Sequence, residues 1–149
     1  MAATSSVAPM AARASTSRAR PEDVDDICRG LPETTFGTSW GDVPTWLVPT
    51  GAKGRGFVLY RKPHKSAVDP ATGEEYDDLL VIRTANPDDK LALVEGSGPF
   101  FTIDHLNGFN AVLVQLSRLG ELSREELAEV ITDAWLAVAP KKLVRELLG

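Results

Sequence analysis

The order of apolar and polar positions divides the chain into segments of helical and strand period. Val24, Ile27, Cys28 and Leu31 recur at helical spacing and share one face. Pro21 suits a first helical turn, and Glu22, Asp23, Asp25 and Asp26 favour the positive end of a helix dipole. Gly30 and Pro32 stop this helix. The run Leu31-Pro32-Glu33-Thr34-Thr35 then leads into an expected loop around Gly37 and Gly41. From there the period becomes two. Thr45 to Val48 reads as a strand, Pro49 to Arg55 as a glycine-rich turn, and Phe57 to Arg61 as the returning strand of a hairpin.

A polar connection from Lys62 to Asp78 follows, with a turn signal at Asp69-Pro70-Ala71-Thr72-Gly73. Connections of that length are uncommon unless functional or mobile. Leu79 to Thr84 predicts a third strand, and Pro87 to Glu95 a short helix with Leu91 and Val94 inward. Phe100 to His105 and Phe109 to Leu116 predict a second hairpin around the tight-turn pair Asn107-Gly108. Ser123 to Glu126 has the form of a capping box, and Leu127, Val130, Ile131, Ala134 and Val138 give the helix behind it an apolar stripe. Pro140 separates a last helix, Lys141 to Leu148, with Leu143, Val144 and Leu147 inward. Strands and helices do not alternate as βαβ units, so the pattern predicts an α+β domain over residues 21–149.

Composition changes this picture mainly at the N-terminus. Residues 1–20 are rich in Ala, Ser, Thr and Arg, contain no acid, and lack the apolar core of a signal peptide. They read as a disordered tail, too poor in large apolar groups to offset their own ordering entropy. No apolar run approaches a membrane span, and the single cysteine, Cys28, leaves no internal disulfide or multi-cysteine metal site. These features fit a cytoplasmic protein with no membrane contact.

Charge is spread unevenly. The formal net charge is -5, yet residues 43–68 hold five bases and no acid. Residues 21–42 hold one base and six acids, and residues 69–104 two bases and nine acids. The overall field repels nucleic acid while one segment attracts it. The segment's Gly51-Ala52-Lys53-Gly54-Arg55-Gly56 lacks the Gly-Lys-Ser/Thr ending of a phosphate loop, and a strand follows it, so no helix N-terminus faces a phosphate. It reads as a hairpin tip. Asp104-His105 looks like half of a catalytic triad, but strand neighbours point to opposite faces. Two histidines in the chain exclude a three-histidine metal site, and no residue set calls for a cofactor.

Several stretches in order carry a resemblance. They are Leu31-Pro32-Glu33-Thr34-Thr35, Gly37-Thr38-Ser39-Trp40-Gly41, Trp46-Leu47-Val48, Phe57, the run from Asp104-His105-Leu106-Asn107-Gly108 to Leu116, and Asp133-Ala134-Trp135 to Leu143. Over about residues 24–148 this order resembles the MmcQ/YjbR family. The resemblance implies a CyaY-like (frataxin-like) α+β fold, an antiparallel sheet of about five strands packed against N- and C-terminal helices. It also implies a DNA-binding label with a winged mode of contact, and it brings no catalytic residue set. The turn from Val48 to Arg55 is longer than the family's usual turn, and Phe109-Asn110 stands where many members have a tryptophan.

The leading expectation is a small non-enzymatic protein that binds DNA. Lys53, Arg55, Arg61, Lys62 and Lys65 would contact phosphates, with Lys141, Lys142 and Arg145 as a second basic edge. Two other expectations stand beside it. The acidic first turn, Glu22, Asp23, Asp25 and Asp26, is the ridge a frataxin-like metal binder would present. The basic hairpin is also a surface on which an acidic protein partner would dock.

Overall fold

The computed structural model describes residues 17–148. Helix α1 (Pro21–Arg29) is followed by strands β1 (Thr35–Ser39), β2 (Val43–Val48), β3 (Arg55–Arg61) and β4 (Leu79–Arg83). Helix α2 (Pro87–Glu95), strand β5 (Ala111–Gln115), and helices α3 (Arg124–Val138) and α4 (Lys141–Leu148) complete the chain. The strands form one antiparallel sheet in chain order, β1-β2-β3-β4-β5. With helices flanking it, this is the expected α+β architecture.

Helix α3 lies across β3 and β4 and buries Leu127, Ile131, Ala134 and Trp135 against Val58, Leu80 and Ile82. Its capping box is formed: Ser123 Oγ accepts the Glu126 N–H at 3.0 Å, and Glu126 Oε1 accepts the Ser123 N–H at 2.8 Å. Helix α1 packs beside it with Val24, Ile27 and Cys28. Among the described residues, the other face of the sheet carries no α-helix. There Leu59, Leu79, Val81 and Leu113 are covered by two loops, residues 62–78 and 101–109, through Ala67, Tyr76, Ile103 and Leu106. The long polar connection is tied down by a bridge between Val68 and Glu75 and by the Tyr76 N–H on Ala67 O at 3.0 Å.

The structure departs from the sequence expectations in three places. Residues 35–39, expected as a loop, are strand β1. Gly37 disguised it, because glycine is depleted in strands; here a side chain would meet Leu47 Cδ1 at 3.1 Å. Residues 100–105, expected as a strand, supply one bridge, Phe101 to Leu113, and then a 3₁₀ turn, Asp104–Leu106. The cause lies in α2, where the Lys90 ammonium donates to Leu106 O at 2.7 Å and Phe109 O at 2.8 Å. Those bonds hold the segment as a loop over the sheet. Hence Asp104 and His105 are not strand neighbours on opposite faces.

Helix orientation is the third correction. In α2 it is Lys90 that is buried, at 9% exposure, while Leu91 is 53% exposed. In α4 Leu143 and Val144 pack on the core, but Leu147 is exposed. Residues 1–16 of the expected tail lie outside the described residues. Residues 17–20 run along residues 120–124: the Ala19 N–H donates to Leu122 O at 2.9 Å and Arg18 Nη1 to Gly120 O at 2.7 Å.

Candidate nucleic-acid interface

The five bases of residues 43–68 lie at two ends of one strand. Strand β3 separates Lys53 and Arg55 from Arg61, Lys62 and Lys65, and its seven residues span roughly 20 Å. At the first end the glycines answer to packing. Gly51 has φ +94°, a Cβ on Gly54 would come within 2.9 Å of Pro49 O, and one on Gly56 within 2.8 Å of Thr45 Cγ2. The glycine pattern therefore closes a tight hairpin tip and is not a phosphate cradle.

Two contacts connect that tip to the C-terminal helices. Thr50 Oγ1 donates to Glu33 Oε1 at 3.1 Å, and Trp135 Nε1 donates to the neighbouring Pro32 O at 3.0 Å. Trp135 stands near the end of α3, and α4 follows at once. The tip and the C-terminal part of α3 thus both rest on the loop between α1 and β1. Lys53, Arg55, Lys141, Lys142 and Arg145 are all exposed, and none enters an ion pair with a described residue.

The other three bases are used differently. Lys62 Nζ pairs with Asp42 Oδ2 at 2.6 Å, and this hydrogen bond holds the Asp42 carboxyl below the usual carboxylate range. Arg61 is half-buried, which pulls its pKa down, and its Nη2 donates to Ser66 Oγ at 2.6 Å. Lys65 is exposed without an ion-pair partner among the described residues. Strand β3 therefore sets Lys53 and Arg55 apart from Arg61, Lys62 and Lys65.

At that second end lies an open cleft of about 670 Å³, lined by Trp40, Val43, Arg61, His64, His105 and Phe109 among others. Trp40 and Phe109 meet edge to face with centroids 5.9 Å apart. The Arg83 guanidinium stacks over the Phe109 ring at 4.7 Å. The His64 and His105 rings face each other at 6.2 Å. The Ser66 N–H donates to His64 Nδ1 at 3.1 Å, so that nitrogen is an acceptor and the ring proton sits on Nε2. Ser66 Oγ, which accepts a hydrogen bond from Arg61 Nη2, in turn lies 2.8 Å from the same Nδ1. Sequence reasoning missed Trp40, Arg83 and Phe109 as partners. The available signal was Trp40 itself, a large aromatic residue in a glycine-flanked turn.

The acidic first turn does not converge on a shared point. Asp25 Oδ1 accepts from Trp46 Nε1 at 2.8 Å and from the Tyr60 hydroxyl at 2.7 Å. Asp23 accepts from the Arg20 N–H at 2.8 Å and from Arg124 Nε at 3.3 Å, and Asp26 pairs with Arg29 at 3.2 Å. Among the described residues no three His, Cys, Asp or Glu side chains group as metal ligands. Cys28 is buried, and burial with the nearby Asp25 charge pushes its thiol pKa far up, so it is no nucleophile. No helix among the described residues is long and apolar enough to cross a membrane.

Comparison with known proteins places this geometry. The family model described as YjbR matches residues 29–137. Proteins named as uncharacterized from Mycobacterium bovis and Mycobacterium tuberculosis are 39% identical over 138 residues, covering 86% of this chain and 95% of theirs. The crystal structure of a Deinococcus radiodurans protein of the DUF419 domain family aligns with a TM-score of 0.57 at 21% identity. That alignment covers 89% of this chain and 91% of the other, and shows the shared fold.

Proposed function

The chain is a member of the YjbR family, and we propose that this domain is a non-enzymatic module that holds a DNA phosphate backbone. The observation that carries the reading is that Lys53 and Arg55 at the hairpin tip, and Lys141, Lys142 and Arg145 on α4, are exposed and have no ion-pair partner among the described residues, in a chain whose net charge is -5. In this reading the two groups form one phosphate-binding surface. Cations arranged in this way bind phosphate without reading sequence, so the module positions itself on DNA with little base preference. A cytoplasmic location goes with this reading. Arg61 and Lys62 are left out of the duplex-binding set, since they lie at the other end of β3 and Lys62 is paired with Asp42.

Fluorescence anisotropy with a labelled duplex at several salt concentrations tests the proposal. Five contacts predict that log K falls against log salt with a slope of roughly -4.5. Lys53→Glu with Arg55→Glu abolishes binding, and Lys142→Glu with Arg145→Glu weakens it. Absence of duplex binding at low salt, or binding unchanged in the first double variant, refutes it.

A further inference from the structure

We propose that the cleft between Trp40, His64 and Phe109 is a second binding site, for a nucleotide: a planar heteroaromatic ring carrying a phosphate. This inference does not rest on the duplex-binding reading, because its residues lie at the other end of β3 from Lys53 and Arg55.

Trp40 carries the argument. It is 51% exposed, and its backbone sits in the left-handed region at φ +51°. Exposure of a large aromatic ring and a left-handed backbone at a non-glycine residue both oppose folding. Its aromatic neighbour Phe109 lies 5.9 Å away with the ring planes at 60°, so about half of the side chain remains available to a ligand. Strain retained at an exposed aromatic residue is a mark of a ligand contact. A base stacked on that face replaces water with aromatic surface, an interaction open to any base.

The cleft also has the charge for a phosphate. Arg61 lines it, and its Nη1 is buried with no hydrogen-bond partner. A bound phosphate would pair with the Arg61 guanidinium through charge-assisted hydrogen bonds. The Arg61–Ser66–His64 chain leaves the His64 Nε2–H as a further donor. Two acids stand near these groups. Asp42 is engaged by Lys62, and Asp104 adjoins His105 in the 3₁₀ turn. The volume, about 670 Å³, lies within the range of small-molecule sites, about 300–1,000 Å³.

The ring and phosphate belong either to a free nucleotide or to the end of a nucleic-acid strand, and the experiment separates the two. Trp46 and Trp135 are buried, so quenching of intrinsic fluorescence on ligand addition reports Trp40. The titrants are adenosine monophosphate, adenosine, and a short single-stranded oligothymidylate, with calorimetry for the Trp40 variants. The expected result is quenching by the monophosphate at least tenfold stronger than by adenosine. Trp40→Gly and Arg61→Met each lower calorimetric affinity at least tenfold, and Trp40→Phe restores part of it. Tighter binding of the monophosphate than of the oligonucleotide assigns a free-nucleotide site; tighter binding of the oligonucleotide assigns a strand end. The Lys53→Glu, Arg55→Glu variant keeps cleft binding even where duplex binding is lost. No quenching by either phosphate ligand at millimolar concentration, or calorimetric affinity unchanged in Trp40→Gly, overturns the proposal.

Discussion

Under the helices, Trp135 is fully buried between α3 and the sheet, its Nε1 bonded to Pro32 O. Across the sheet, Trp40 stands half exposed at the rim of a cleft, on a left-handed backbone. Both are tryptophans of one small domain, and they differ in what covers them. The helix face is closed by the regular apolar stripes of α1 and α3. The loop face is closed in part by segments pinned through single side chains, and what they leave open is polar and aromatic. Burial serves stability on one face, and incomplete burial makes room for binding on the other.

The largest test of that contrast is Trp135→Ala. Removing a fully buried indole leaves a cavity beneath α3 and is expected to cost about 3–5 kcal/mol, a large part of the stability of a domain this size. Urea denaturation followed by circular dichroism measures it. A loss similar to that of an exposed-site variant would mean the two faces do not differ as argued.

Lys90→Met probes how the loop face is held. The ammonium is buried and donates to two carbonyls, each of which also accepts a backbone N–H, from Phe109 and from Ala111, so the variant removes the two charge-assisted bonds that tie the loop to α2. The expected loss is about 1–3 kcal/mol. Hydrogen exchange should show faster opening of residues 104–109 while α3 keeps its protection. Equal acceleration in α3 would show that the loop and helix faces open together.

Trp40→Gly should have the opposite sign. Glycine accepts φ +51° without strain, and the lost side chain buries little, so stability is expected to stay level or rise by up to about 1 kcal/mol. A clear loss in thermal denaturation would assign Trp40 to the core instead of to a site.

The smallest effect is expected from Asp42→Asn. Lys62 holds the Asp42 carboxyl below its ordinary pKa. Such a group adds stability above the unfolded pKa and loses that contribution as pH falls through the folded one. Both partners are solvent-exposed, so the difference from the parent chain should be barely measurable at pH 7 and absent in acid. The variant should also free Lys62 and tighten phosphate binding in the cleft at low salt. A melting shift as large as that of Lys90→Met would contradict the surface placement of this pair.

Much of the fold was legible because its signals are local. The capping box at Ser123, the stripe of α3, the runs of β3 and β4 and the stop at Pro140 each follow from residues a few positions apart. Strand β1 was hidden by Gly37 and Gly41, since glycine weakens the strand signal where close approach demands it. The expected strand over residues 100–105 failed for a distant cause. Its pattern suits a strand, but a lysine fourteen positions before the 3₁₀ turn binds the carbonyls that follow it.

By itself, the sequence determined the α+β class, the helices, the central strands and the presence of a basic segment in an acidic chain. Each depends on the identity and spacing of near neighbours, which the chain displays in order. Only the tertiary structure decided what the basic residues are near. It set Lys53 and Arg55 apart from the other bases of their segment, gave Lys62 to Asp42, and set Arg61 beside two histidines and an exposed tryptophan. These outcomes depend on contacts between residues far apart in the chain, whose energies exist only once the sheet has set the distances.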